Sequence, residues 1–205
     1  MIISRKRGFI FLRVPKTAST SLTFQIRDSI KEDIDFHSGL GPPPVDVAFH
    51  HLNLQEAINR EILDENEIKH FRVYATIRNP IDRFISIANS LHPNPAFRFM
   101  ANDQKVRETF DKISSGMAGL ILKPQIDWLR HNGNIISHPI IYPNFSKFLK
   151  DEIGCSEMIY SEHSSKRADK QINISEELRS DILRMFPEDQ VLWEHLKARE
   201  GVREG

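Results

Sequence analysis

The sequence predicts an α/β fold built on parallel strands, and three observations predict it. Two short apolar runs, "GFIFLRV" and "FRVYATI", read as buried strands. Each ends at a polar break that is followed by apolar residues at helical spacing. A further helical stretch lies between them, so strand, helix, helix, strand, helix follow one another as in crossover-connected parallel sheets. A chain of 205 residues is long enough for one domain with a substantial core. That domain is expected over residues 1–200, with 201–205 a disordered tail.

The first strand is bounded by Gly8 and Pro15. From Ala18 a helix is expected, because Leu22, Ile26 and Ile30 share a face. "SGLGPPPVD" is a loop by composition, and "NLQEAINREIL" is a helix with Asn53 as its cap. The strand Phe71 to Ile77 ends at "RNP", where Asn79 can cap and Pro80 can take the first helical position. The helix "PIDRFISIANSL" then puts Ile81, Phe84, Ile85 and Ala88 on one side. Residues 92–116 read as a loop and a helix around "DQKVRETFDKI". A turn at Asn132, Gly133 and Asn134, a strand and a short helix follow. Two helices starting at Ser175 and Pro187 close the chain and are expected to pack on the sheet. There is no internal repeat.

Composition excludes several functions. Lys plus Arg and Asp plus Glu both total 28, so no bulk field attracts nucleic acid or anionic lipid, and an anion site has to be local. Cys155 is the single cysteine, which fits a reducing compartment and a small residue after a turn at Gly154. The apolar run in "MIISRKRGFIFLRV" is too short and too interrupted by Arg for a signal peptide or membrane anchor, so a soluble, cytoplasmic protein is expected. His37, His70, His92, His131, His138, His163 and His195 show no metal-ligand spacing, and no metal is expected.

The first constellation is "RVPKTASTS". A strand that enters a tight loop and a helix presents backbone N–H groups at the helix start, where the dipole favours anions. Lys16 adds a point charge, and Thr17, Ser19, Thr20 and Ser21 add hydroxyls around Ala18. The glycines of the nucleotide loop G-x-x-x-x-G-K-S/T are missing, so a nucleoside triphosphatase fits poorly. A helix start rich in capping residues would look similar in isolation. The second constellation is "YATIRNPIDRFIS". Here Arg78 leaves the end of a strand and Ser86 lies two helical turns further on, so a guanidinium fork and a hydroxyl can grip one phosphate. Read alone, Arg78 could equally pair with Asp82 on a helix surface.

Taken together, the two strings resemble the signatures of the PAPS-dependent sulfotransferases, most closely the carbohydrate and uronyl enzymes of the type-2 group. "RVPKTASTS" is similar to their phosphosulfate loop, although many relatives have Gly where this chain has Ser19. "RNPIDRFIS" is similar to their Arg-Asp/Asn-Pro-x-x-Arg-x-x-Ser signature. The resemblance implies a P-loop-like, three-layer fold with a central, mainly parallel sheet flanked by helices. It implies PAPS (3′-phosphoadenosine 5′-phosphosulfate) as donor and PAP as product. Lys16 to Ser21 would hold the phosphosulfate and Arg78 and Ser86 the 3′-phosphate, with Arg83 structural. "HHLNLQEAI", "KPQIDWLRHNGNI" and the closing helices extend the resemblance over most of the chain. At "IIYPNF" this chain has Pro143 where relatives usually carry Glu, so a family role for that Glu is not carried over.

Sulfuryl transfer needs charge stabilised on the leaving phosphate and a proton removed from the acceptor hydroxyl. Lys16 suits the first task, and no metal is then required. His51 suits the second, because an imidazole titrates near neutrality and general-base catalysis is worth roughly 100- to 10,000-fold. The adjacent His50 is the alternative. Arg13 is placed to reach the acceptor or the sulfuryl group, Gln125 and Trp128 are pocket or core candidates, and Lys166 and Arg167 in "SSKRADK" could lie over the nucleotide. The expected acceptor is a hydroxyl on a glycan or a sugar-containing metabolite, with its specificity in loops 36–50 and 89–116. Two rivals remain at this stage, a P-loop-like small-molecule kinase and an inactive nucleotide-binding module. The kinase would need a Mg²⁺-binding Asp after a second strand, where this chain has Arg78.

Overall fold

The computed structural model describes residues 1–37, 51–91, 102–117, 119–155 and 173–200. In chain order its elements begin with β1 (Ile2–Ser4), β2 (Phe9–Leu12), α1 (Ser19–Ile30) and β3 (Phe36–His37). Next come α2 (Leu54–Asn59), α3 (Glu65–His70), β4 (Arg72–Ile77), α4 (Pro80–Ser90) and α5 (Asp103–Ser114). The hairpin β5 (Arg130–His131) and β6 (Asn134–Ile135) precedes β7 (His138–Ile141) and the short α6 (Ser146–Phe148). Helices α7 (Glu176–Met185) and α8 (Pro187–Glu200) follow. The chain divides into two compact units, Met1–Ile77 with Gln125–Ser161, and Arg78–Pro124 with Glu162–Gly205.

The first unit holds a five-stranded sheet in the order β3-β1-β2-β4-β7. β2, β4 and β7 pair in parallel, while β1 is antiparallel to both of its neighbours. β1 therefore opposes the other four strands, which run one way, and the expected α/β fold with a mainly parallel central sheet is present. Every residue of β2 is fully buried. This is why "FIFL" reads as an unbroken apolar run rather than an alternating one. Phe9 and Phe11, two apart on one face, meet Leu22, Ile26 and Ile30 of α1 in one core. Phe148 closes that core, with ring centroids 4.9 Å from Tyr74, 5.9 Å from Phe11 and 6.3 Å from Phe9. A polar tie flanks it, since the Tyr74 hydroxyl donates to buried Glu152 at 2.5 Å and Arg72 pairs with the other carboxylate oxygen at 3.0 Å. Burial first, and then Glu152, push the Tyr74 phenol up, so it remains a donor.

Local signals set the element ends. Asn53 caps α2 in a reciprocal capping box with Glu56. β1 turns into β2 through Arg5 to Gly8, where the left-handed φ of 65° is one that glycine adopts at little cost. Asn132 and Gly133, at φ 48° and 79°, form the two-residue turn of the β5–β6 hairpin. Sequence reading missed β1 and β3, whose three and two residues are too short to show a period.

The second unit is helical among its described residues. Ile81, Phe84 and Ala88 of α4 share a core with Val106 of α5, Leu178 and Ile182 of α7, and Phe186. Asn79 caps α4 by accepting from Ile81 N, and Pro80 fills the first position as expected. Arg83 is 1% exposed, yet it is well supplied with partners. Its Nη2 donates to the carbonyls of Ile121 at 3.0 Å and Lys123 at 2.8 Å, and Nη1 lies 3.7 Å from buried Asp189. Arg83 thus joins α4, the turn at Leu120–Leu122 and the first turn of α8. Asp189→Ala leaves that buried guanidinium without its counter-charge and should cost about 3 kcal/mol. Urea unfolding checks this, and an unchanged midpoint would remove the pair from the stabilising contacts. Among the described residues, no helix is long and apolar enough to cross a membrane.

Candidate active site

The loop after β2 is shaped by its own backbone and hydroxyls. Lys16 and Ala18 adopt left-handed φ values of 67° and 61°, and Thr17 between them does not. Such alternation is the backbone pattern of anion-binding nests, and for non-glycine residues it costs of order 1–2 kcal/mol each. Strain of this kind at a loop leading into a helix points to a ligand. The start of α1 has neither a side-chain cap from its N-cap residue, Ala18, nor a carboxylate in its first turn.

The hydroxyls divide into two groups. Those of Thr17 and Ser19 both donate to the Val14 carbonyl, at 2.9 and 2.8 Å, and so hold the loop closed. Ser19 thereby makes a bond that glycine at this position could not. Thr17 Oγ1 also lies 2.5 Å from Thr76 Oγ1 on β4. Because the Thr17 proton goes to Val14, Thr76 is the donor in that pair. Thr76→Val keeps the shape and removes the donor, and the expected loss is about 1–2 kcal/mol of stability. A denaturation midpoint equal to the wild type would show that the buried pair contributes nothing. The second group comprises Thr20 and Ser21. Thr20 Oγ1 accepts from Arg13 Nη2 at 3.1 Å and keeps its own proton for another acceptor. Ser21 Oγ is buried and has no hydrogen-bond partner among the described residues. An orphaned buried hydroxyl is what a missing polar ligand leaves behind.

His51 is tied to the same loop. Its Nδ1 lies 2.6 Å from the carbonyl oxygen of Arg13. A carbonyl can only accept, so Nδ1 carries the proton and Nε2 carries the lone pair in the neutral ring. The His51 carbonyl accepts from the indole N–H of buried Trp128 at 3.1 Å. Arg13 is 3% exposed and Lys16 is half-buried.

The first unit therefore brings together Arg13, the Lys16 to Ser21 loop and His51. In the second unit Arg78 and Ser86 are both half-buried, Arg78 immediately before the cap of α4 and Ser86 along the helix. Gln125 and Trp128 are buried in the first unit. His50, Lys166 and Arg167 lie outside the described residues. Thr76 was missed as a loop-fixing residue. Its signal was a hydroxyl inside an otherwise apolar stretch of strand, "VYATI".

The sulfotransferase family model matches residues 1–163, so the chain belongs to the sulfotransferase family. Membership makes it a transferase, with sulfuryl transfer as the general activity. No curated protein and no solved structure matched the chain.

Proposed function

We propose that this protein transfers a sulfuryl group from PAPS to a hydroxyl acceptor on a carbohydrate, with His51 as general base. The observation that carries it is the loop into α1, with left-handed backbone at Lys16 and Ala18, no side-chain cap from Ala18, and a buried Ser21 hydroxyl without a partner among the described residues. PAPS supplies the sulfuryl group on a good phosphate leaving group. The N–H groups after Ala18, with Thr20 and Ser21, bind and orient the phosphosulfate. Lys16 stabilises the negative charge that develops on the bridging oxygen as its bond to sulfur breaks. Arg78 and Ser86 hold the 3′-phosphate, and this double grip distinguishes the donor from ATP. His51 Nε2 takes the acceptor proton while the acceptor oxygen bonds to sulfur, and Nδ1–H stays on the Arg13 carbonyl. Arg13 fixes Thr20 with its side chain and the base with its backbone.

No step requires a metal, because Lys16 serves the leaving group. The reading also places the enzyme in the cytoplasm, acting on a cytosolic glycan or sugar-containing metabolite. Incubation with sulfur-labelled PAPS and a panel of sugars tests it. The expected product carries label and the added mass of one SO₃ group. Failure of every hydroxyl acceptor to take label, with PAPS left intact, would count against the proposal.

A further inference from the structure

Trp128 ends the turn Gln125–Trp128, and its side chain is 1% exposed. By position it is a core residue, but its polar atom has a specific destination, the backbone carbonyl of His51. Burial alone does not dictate such a bond in this protein. The other tryptophan, Trp193, is also buried, and its indole nitrogen has no hydrogen-bond partner among the described residues.

The bond matters because of where it acts. The His51 carbonyl belongs to the peptide plane joining His51 to Leu52, so fixing that plane fixes the His51 Cα from which the side chain springs. Downstream, the chain is held by buried Leu52 and by the Asn53–Glu56 capping box, whose two bonds are both 2.9 Å. On the ring itself, Nδ1–H is held by the Arg13 carbonyl. A ring anchored at its backbone and at Nδ1 has one tautomer and one orientation, as happens when a second group orients a catalytic histidine.

We propose that Trp128 is a positioning residue for His51. Its indole N–H holds the His51 peptide so that Nδ1–H stays on the Arg13 carbonyl and Nε2 stays the proton acceptor. This rests on the reading of His51 as the base, and it predicts that one N–H in the core controls turnover without touching either substrate.

Two replacements test it, Trp128→Phe and substitution of Trp128 by benzothienylalanine, which keeps the bicyclic shape and lacks the N–H. Both should lower kcat roughly 10- to 100-fold while donor KM stays within about twofold, the mark of lost orientation rather than lost binding. In a His51→Ala background the same replacements should cost nothing further, because the group being positioned is gone. Imidazole ¹⁵N resonances of the full chain should report the Nδ1-protonated tautomer of His51 in the wild type and a mixture of tautomers in the variants. An isostere variant with normal kcat and an unchanged tautomer would overturn the proposal. So would an equal loss in the His51→Ala background, or a wild-type ring protonated at Nε2. If Trp128→Phe does not fold, the isostere alone decides. If His51→Ala turns over normally, the base assignment fails, and the tautomer in the isostere variant still decides whether Trp128 positions the ring.

Discussion

Lys16→Ala abolishes detectable sulfuryl transfer, with an expected fall in kcat of at least about 100- to 1,000-fold, the scale for removing one preorganised charge-stabilising donor. The substitution is conformationally fair. Lys16 holds a left-handed φ of 67°, and alanine carries the same Cβ into that region, so the loop pays no new strain. The half-buried side chain stands in a loop closed by Thr17 and Ser19, whose bonds to Val14 do not involve it. Steady-state rates with PAPS check the prediction, and normal turnover would remove Lys16 from the mechanism.

His51→Ala lowers kcat about 100- to 10,000-fold and leaves PAP affinity nearly unchanged, because the ring removes a proton and does not hold the donor. The pH profile gives a second reading. A base must be neutral to act, so wild-type kcat/KM falls as pH falls and the Nε2 lone pair becomes protonated. That acidic limb should be missing from the small residual activity of the variant. His50→Ala is the matched control. If it carries the loss instead, the base lies one residue earlier in the chain. A His51→Ala enzyme with wild-type turnover and an unchanged acidic limb would end the case for a histidine base here.

The parts of the fold that could be read in advance are those whose signals are local. Apolar residues at helical spacing announced α1 and α4, and Asn53, Asn79, Pro80 and Ser175 marked helix starts that the structure bears out. β1 and β3 were invisible because pairing with neighbouring strands, rather than any pattern of their own, makes them strands. The loop hydroxyls show a different limit. "KTASTS" offers four that look equivalent in sequence. Folding uses Thr17 and Ser19 on Val14, gives Thr20 to Arg13, and leaves buried Ser21 without a partner among the described residues. Arg83 could be assigned a structural role from its motif. Its partners, two carbonyls and Asp189, are 38, 40 and 106 residues away in sequence, from 83 to 121, 123 and 189, and no local rule connects them. Trp128 reads as core from its apolar surroundings, and only the direction of its indole N–H connects it to His51.

The central claim is that this chain holds an adenosine donor by its 5′ and 3′ anionic groups, and titration calorimetry on the full chain tests it most directly. PAP should bind with one-to-one stoichiometry, and at least about tenfold more tightly than either 5′-AMP or ATP with Mg²⁺, since the 3′-phosphate adds charge-assisted contacts that the other two lack. Tighter binding of ATP with Mg²⁺, or equal binding of PAP and 5′-AMP, would contradict it.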